Sequence, residues 1–152
     1  MLFRSLTQAF LAVELMVAGV AAVHYFAWSG VSPVPLPMLA AWTLVSAAGV
    51  GGAFVAIRSG WTRDLADPAL TVPLMAFAIA CSAWAYALLG PARGAVFPTV
   101  MVTLMFGMFV GSPRSIAWLG VYAAVVLGLV MALMADRKST RLNSSHRCIS
   151  YA

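Results

Sequence analysis

Charged residues are scarce in this 152-residue chain. Only 9% of its residues are charged, whereas soluble domains carry roughly a quarter. A water-soluble fold of this size would therefore have too few charges to cover its surface. Hydrophobic residues make up 63% of the chain and fall into long runs. Because a bilayer-spanning helix needs about 20 mostly apolar residues, the composition excludes an ordinary soluble domain and predicts a helical membrane protein.

Cysteines and acidic residues are also few. The two cysteines, Cys81 and Cys148, have neither the number nor the spacing of a disulfide framework or a zinc motif. The four acidic residues form no carboxylate dyad, and no nucleotide-binding loop or nucleophile elbow is present. We therefore predict that this chain has no catalytic, cofactor-binding or metal-binding residues of its own.

The formal net charge of +5 does not indicate a nucleic-acid partner. Four of the nine basic residues lie in the last sixteen positions, and the others lie between hydrophobic runs. Basic residues between apolar runs usually report membrane topology. The partner that this distribution predicts is the lipid bilayer.

Hydrophobic runs within residues 1–135 predict an all-α polytopic bundle of about five transmembrane spans. Polar or turn-forming segments separate the runs. One of them, the stretch 29–37, has prolines at three alternate positions, namely Pro33, Pro35 and Pro37, and proline disfavours helix continuation. The predicted spans cover about residues 6–28, 38–57, 72–89, 95–110 and 116–134.

Several local features refine this picture. Asp67 and Pro68 fit a helix start, with Asp as the cap and Pro in the first turn. Small residues in the second span favour close helix contacts, namely Gly49, Gly52 and Ala53. Four tryptophans lie near span ends and predict an aromatic belt at the headgroups: Trp28, Trp42, Trp61 and Trp118. Trp84 lies in the middle of a span and is expected to pack between helices.

Arginine positions predict the orientation. If the N-terminus is cytoplasmic, Arg93 is the only Lys or Arg residue before Asp136 that lies outside. This obeys the positive-inside rule, since the inner side then holds Arg4, Arg58, Arg63 and Arg114. Five spans would leave the C-terminus outside, where four more basic residues would cancel the bias. The tail therefore disagrees with the five spans that precede it.

Residues 136–152 form a polar tail that is rich in serine and arginine and has no apolar periodicity. The stretch Arg137-Lys-Ser-Thr-Arg-Leu-Asn-Ser-Ser-His146, followed by Ile149-Ser-Tyr-Ala152, resembles a recurrent translation of sequencing-adapter DNA. We interpret the tail as non-native and expect it to be disordered. A natural disordered basic tail is the alternative.

Three residues are candidates for an intramembrane polar site: Glu14, His24 and Arg93. Glu14 lies within the first span, where an ionisable group is costly and suggests function by default. It either binds a proton or cation, or makes a hydrogen bond that fixes helix packing. His24 lies near the outer end of that span and is either a ligand or a solvated residue at the interface. Arg93 lies in a turn that forms either an outer pocket or a tight hairpin.

A family resemblance rests on Arg58-Ser-Gly, on Asp67-Pro-Ala-Leu-Thr71, and above all on two later blocks. These blocks are Gly90-Pro-Ala-Arg-Gly-Ala-Val-Phe-Pro98 and Met101-Val-Thr-Leu-Met-Phe-Gly-Met-Phe109. Over residues 50–134 the chain resembles the N-terminal membrane region of proteobacterial diguanylate cyclases, the GGDEF-domain proteins. In that family, six spans precede a cytoplasmic domain that joins two GTP molecules into cyclic di-GMP.

The resemblance implies a sensor or anchor in the bacterial inner membrane that forms a homodimer through its parent protein. The GGDEF motif and the sixth span are absent from this sequence. Mg²⁺ and GTP are thus expected only for the cyclase domain of an intact parent. Two alternatives stay open: the sensor region of another signalling protein, such as a histidine kinase, and a fragment of a small transporter.

Overall fold

A computed structural model describes the backbone of residues 2–65, 67–110 and 112–149, and the side chains of residues 10, 13–65, 67–108 and 112–136. All regular secondary structure in these residues is helical. The five α-helices are α1 (Leu2–Trp28), α2 (Leu36–Ser59), α3 (Thr71–Leu88), α4 (Val96–Val110) and α5 (Pro113–Ile149). A six-residue 3-10 helix, Gly90–Ala95, directly precedes α4. The prediction of an all-α bundle with about five helices is confirmed.

Within the described residues, three helical segments are long and apolar enough to cross a membrane: Leu36–Ser59, Thr71–Leu88 and Pro113–Asp136. A shorter apolar segment, Val13–Trp28, belongs to α1. These segments support a membrane location for the chain. That α1 and α4 also cross the bilayer stays a prediction.

Helix α3 lies at the centre of the bundle. It contacts the other four helices, most extensively α4 and α5, then α2, and least extensively α1. Ile79, in the middle of α3, is completely buried. Helices α1 and α4 both contact α3 without packing extensively on each other, which leaves a groove between them.

The start of α3 differs from the sequence prediction in position. The helix begins at Thr71, after Leu70 in a left-handed conformation with φ of 50°. One Asp67 carboxylate oxygen accepts a hydrogen bond from the Val72 backbone N–H at 3.0 Å. Such a bond satisfies an amide in the first turn, which has no partner within the helix. The N-cap residue is Leu70, so the predictions of Asp67 as the cap and of Pro68 in the first turn are wrong, although the Asp67 carboxylate still satisfies one amide of that turn.

Two glycines permit close approach between helices. A Cβ atom at Gly49 of α2 would overlap the ring of Phe77 in α3, and one at Gly107 of α4 would overlap Met75 and lie 2.8 Å from Ile116 Cδ1. At Gly52 a Cβ would meet nothing within 4 Å. The expected close contact is therefore made at Gly49 and not at Gly52.

Two tryptophan predictions are wrong. Trp42 is buried, and its indole Nε1–H donates to the Cys81 carbonyl oxygen of α3 at 2.9 Å. It thus joins two helices and does not belong to a headgroup belt. Trp84, expected between helices, has 38% of its surface exposed. Trp28, Trp61 and Trp118 are highly exposed, as a belt requires.

Helix α5 continues to Ile149, beyond the predicted end of the fifth span at Met134. The backbone of residues 137–149 is therefore helical, whereas we expected an irregular tail. An established helix adds residues without a new nucleation step, and arginine and lysine are good helix formers. The proposed adapter origin of the tail stays a prediction, and residues 150–152 lie outside the described residues.

Candidate functional site

A groove of about 340 Å³ lies between α1 and α4, with α3 as its floor. Each helix contributes residues at helical spacing, so one continuous stripe of each faces the groove. Helix α1 contributes Leu15, Gly19, Ala22 and Phe26, and α4 contributes Val96, Thr99, Thr103 and Phe106. The floor is formed by Thr71, Leu74, Met75, Ala78, Ser82 and Ala85.

The groove lining is mostly apolar, with a few polar groups set into it. Hydroxyl groups come from Thr71, Ser82, Thr99 and Thr103. The Thr103 hydroxyl donates to the Thr99 carbonyl oxygen of its own helix at 2.8 Å, so its proton is occupied. An apolar cleft with a few polar groups is the usual form of a small-molecule site.

Glu14 contributes the carboxylate of the groove. It stands directly before Leu15, at the edge of the stripe that α1 presents. Within the described part of the chain, no hydrogen bond or ion pair engages this carboxylate. The Glu14 side chain is exposed, and both interpretations of it, a binding site and a packing contact, stay predictions.

His24 does not line the groove. Its Nδ1 atom lies 2.9 Å from the Val20 carbonyl oxygen of the preceding turn. Because a carbonyl oxygen only accepts, Nδ1 must carry the proton. The imidazole also packs edge-on against Trp28, with ring centroids 5.6 Å apart. These contacts hold the ring near the C-terminal end of α1.

Arg93 is likewise engaged outside the groove. Its Nε–H donates to the Gly90 carbonyl oxygen at 2.6 Å, within the 3-10 helix. Its guanidinium carbon lies 5.5 Å from the centre of the Tyr86 ring in α3, a favourable cation–π geometry. Arg93 therefore holds the 3-10 helix against the end of α3. Of the three candidate residues, only Glu14 lines the groove.

Buried polar contacts between elements escaped the sequence reasoning. The buried Ser32 hydroxyl, in the proline-rich loop, donates to the Leu89 carbonyl oxygen. The Thr62 hydroxyl donates to the Pro68 carbonyl oxygen at 2.7 Å. These bonds anchor the loops before α2 and α3, and lone serines and threonines in polar loops give no sequence signal that would reveal them.

The described residues contain no group of three or more His, Cys, Asp or Glu side chains that could hold a metal ion. The described acidic and histidine side chains are dispersed, with Glu14 alone in the groove. The arrangement can thus offer one carboxylate and several hydroxyl groups to an apolar ligand.

Comparisons with known proteins give no relative. No protein-family model matches the chain, and searches of curated proteins and of solved structures found no match either.

Proposed function

We propose that this chain is the membrane-embedded input and anchoring module of a bacterial diguanylate cyclase. The observation that carries the proposal is the resemblance of residues 50–134, with its two blocks at Gly90–Pro98 and Met101–Phe109. The first block covers the 3-10 helix and the start of α4, and the second continues along α4. Both blocks therefore belong to one connected unit that packs on α3.

The proposed module sits in the inner membrane with its N-terminus in the cytoplasm. The arginine distribution supports this orientation, since four arginines then lie inside and one outside before Asp136. In an intact parent, a sixth span after α5 would return the chain to the cytoplasm. There a cyclase domain would bind GTP and Mg²⁺ and pair with a second copy.

The uninterrupted DNA sequence downstream of codon 135 tests this proposal. It is expected to encode a sixth apolar span followed by a GGDEF motif. In the parent protein, deletion of the membrane region should then change cyclic di-GMP production in cells, measured by mass spectrometry of nucleotide extracts. A control variant with the GGDEF motif inactivated should produce none. A reading frame without that motif overturns the proposal.

One observation favours a second candidate, a fragment of a small transporter. The Glu14 carboxylate is exposed at an open groove and has no partner among the described residues, as a coupling carboxylate would. Loss of substrate uptake on Glu14→Gln in the full-length protein would support this candidate. A histidine kinase output is decided by the same DNA sequence that tests the cyclase.

A further inference from the structure

We propose that the groove between α1 and α4 binds an amphiphilic organic cation, with its positive charge at Glu14 and its apolar part along α3. The inference goes beyond the proposed function and does not depend on any output domain. It rests on the charge and the shape of the groove.

The charge of the groove selects the sign of the ligand. Glu14 is the only acidic or basic residue among the described residues that line it, and it forms no ion pair with any of the side chains that the structure describes. Its side chain is exposed at the rim of the groove, where a cation can reach the carboxylate directly. A cationic group is attracted to this carboxylate, whereas a phosphate headgroup would add a second negative charge beside the first.

The rest of the lining selects an elongated apolar body. The groove extends along α1 from Glu14 to Phe26. With a rise of 1.5 Å per residue, this distance is about 18 Å. The volume of about 340 Å³ is near the lower end of the range for small-molecule sites, about 300–1,000 Å³. An extended chain with a compact headgroup fits these dimensions.

A metal ion does not fit the same groove. Hard cations such as Ca²⁺ and Mg²⁺ take six or more oxygen ligands. Among the side chains that the structure describes, no group of three metal-binding residues is present. A single exposed carboxylate beside an apolar groove instead suits a monovalent organic cation with an apolar chain.

Binding of radiolabelled dodecyltrimethylammonium tests the proposal. The full chain is placed in phosphatidylcholine nanodiscs, and empty nanodiscs give the background for partitioning into lipid. We expect saturable binding above this background, displaced by the unlabelled cation and not by dodecanol, which has the same chain and no charge. The Glu14→Gln variant should bind about two- to fivefold more weakly, since it loses an exposed charge pair.

A matched pair of glycine variants keeps the test independent of Glu14. Gly19 lines the groove, and a Cβ placed there meets nothing within 4 Å. Gly19→Leu should therefore fill the groove without displacing protein atoms and should weaken binding. Gly51 is equally unobstructed but does not line the groove, so Gly51→Leu should bind like the parent chain.

Three results would overturn the proposal. The first is that no saturable binding is measured. The second is that dodecanol displaces the labelled cation as effectively as the unlabelled cation does. The third is that both Glu14→Gln and Gly19→Leu bind the cation with unchanged affinity. Because the assay uses the chain alone, none of these results bears on the cyclase-module proposal. Conversely, a reading frame without a GGDEF motif leaves the binding result intact.

Discussion

Gly49 shows how a single missing side chain sets the distance between two helices. Lipid tails are as apolar as leucine, so helices in a bilayer associate through close packing more than through the hydrophobic effect. The Phe77 ring of α3 occupies the space where a larger residue at 49 would place its Cβ. Small residues at such contacts are therefore structural requirements, while those facing lipid are not.

Gly49→Ala is expected to lower the free energy of unfolding by about 1–3 kcal/mol, the usual cost of overpacking. The added methyl group must displace the Phe77 ring or separate α2 from α3. Gly52→Ala is the matched control on the same helix, because its Cβ would meet nothing within 4 Å. Thermal unfolding in detergent compares the two variants, and equal stability would show that α2 and α3 do not approach closely at Gly49.

At the scale of the element, the sequence predicts where helices form far better than it predicts which face of each helix packs against its neighbours. Long apolar runs broken by proline, glycine and charge predict helices directly. These helices are apolar all round, so no polar face shows which side turns inward. For that reason the sequence predicts a headgroup position for Trp42, which bonds to Cys81, and an interhelical position for Trp84, which is exposed.

The candidate site was predictable only in part, for the same reason. Glu14 stands out because an ionisable residue within an apolar run is rare. Its groove depends on how α1, α3 and α4 meet, and that arrangement comes from contacts such as those of Gly107, which the helix periodicity does not encode. His24 and Arg93 are candidates by residue type alone, and local partners hold both of them.

The start of α3 provides a prediction at this scale. Asp67→Ala removes the acceptor for the Val72 N–H and is expected to cost about 0.5–2 kcal/mol of stability, as for the loss of a side-chain helix cap. Asp64→Ala is the control, since Asp64 lies exposed in the same loop and takes no part in that bond. Thermal unfolding in detergent measures both, and an equal loss in the two variants would contradict this role of Asp67.

At the scale of the whole molecule, the number of membrane crossings depends on α1 and α4. The hydrocarbon core is about 30 Å thick. Helix α4, with 15 residues, is only about 22 Å long. The 3-10 helix before it has six residues and adds about 12 Å, since its rise is about 2 Å per residue. Laid end to end, the two would be about as long as the core is thick. Helix α1, with 27 residues, is about 40 Å long and long enough alone.

We therefore expect five crossings, with the loops before α2 and α4 outside and the loop before α3 inside. Fusions to alkaline phosphatase, which is active only outside, and to green fluorescent protein, which fluoresces inside, test each loop in bacteria. Alkaline phosphatase should be active after Ser32, Arg93 and Ala135, and green fluorescent protein should fluoresce after Asp64. If only the three long segments cross, a cytoplasmic N-terminus instead places Ser32 and Arg93 inside and Asp64 outside. That reversal at three positions would contradict five crossings, whereas position 135 is outside in both cases.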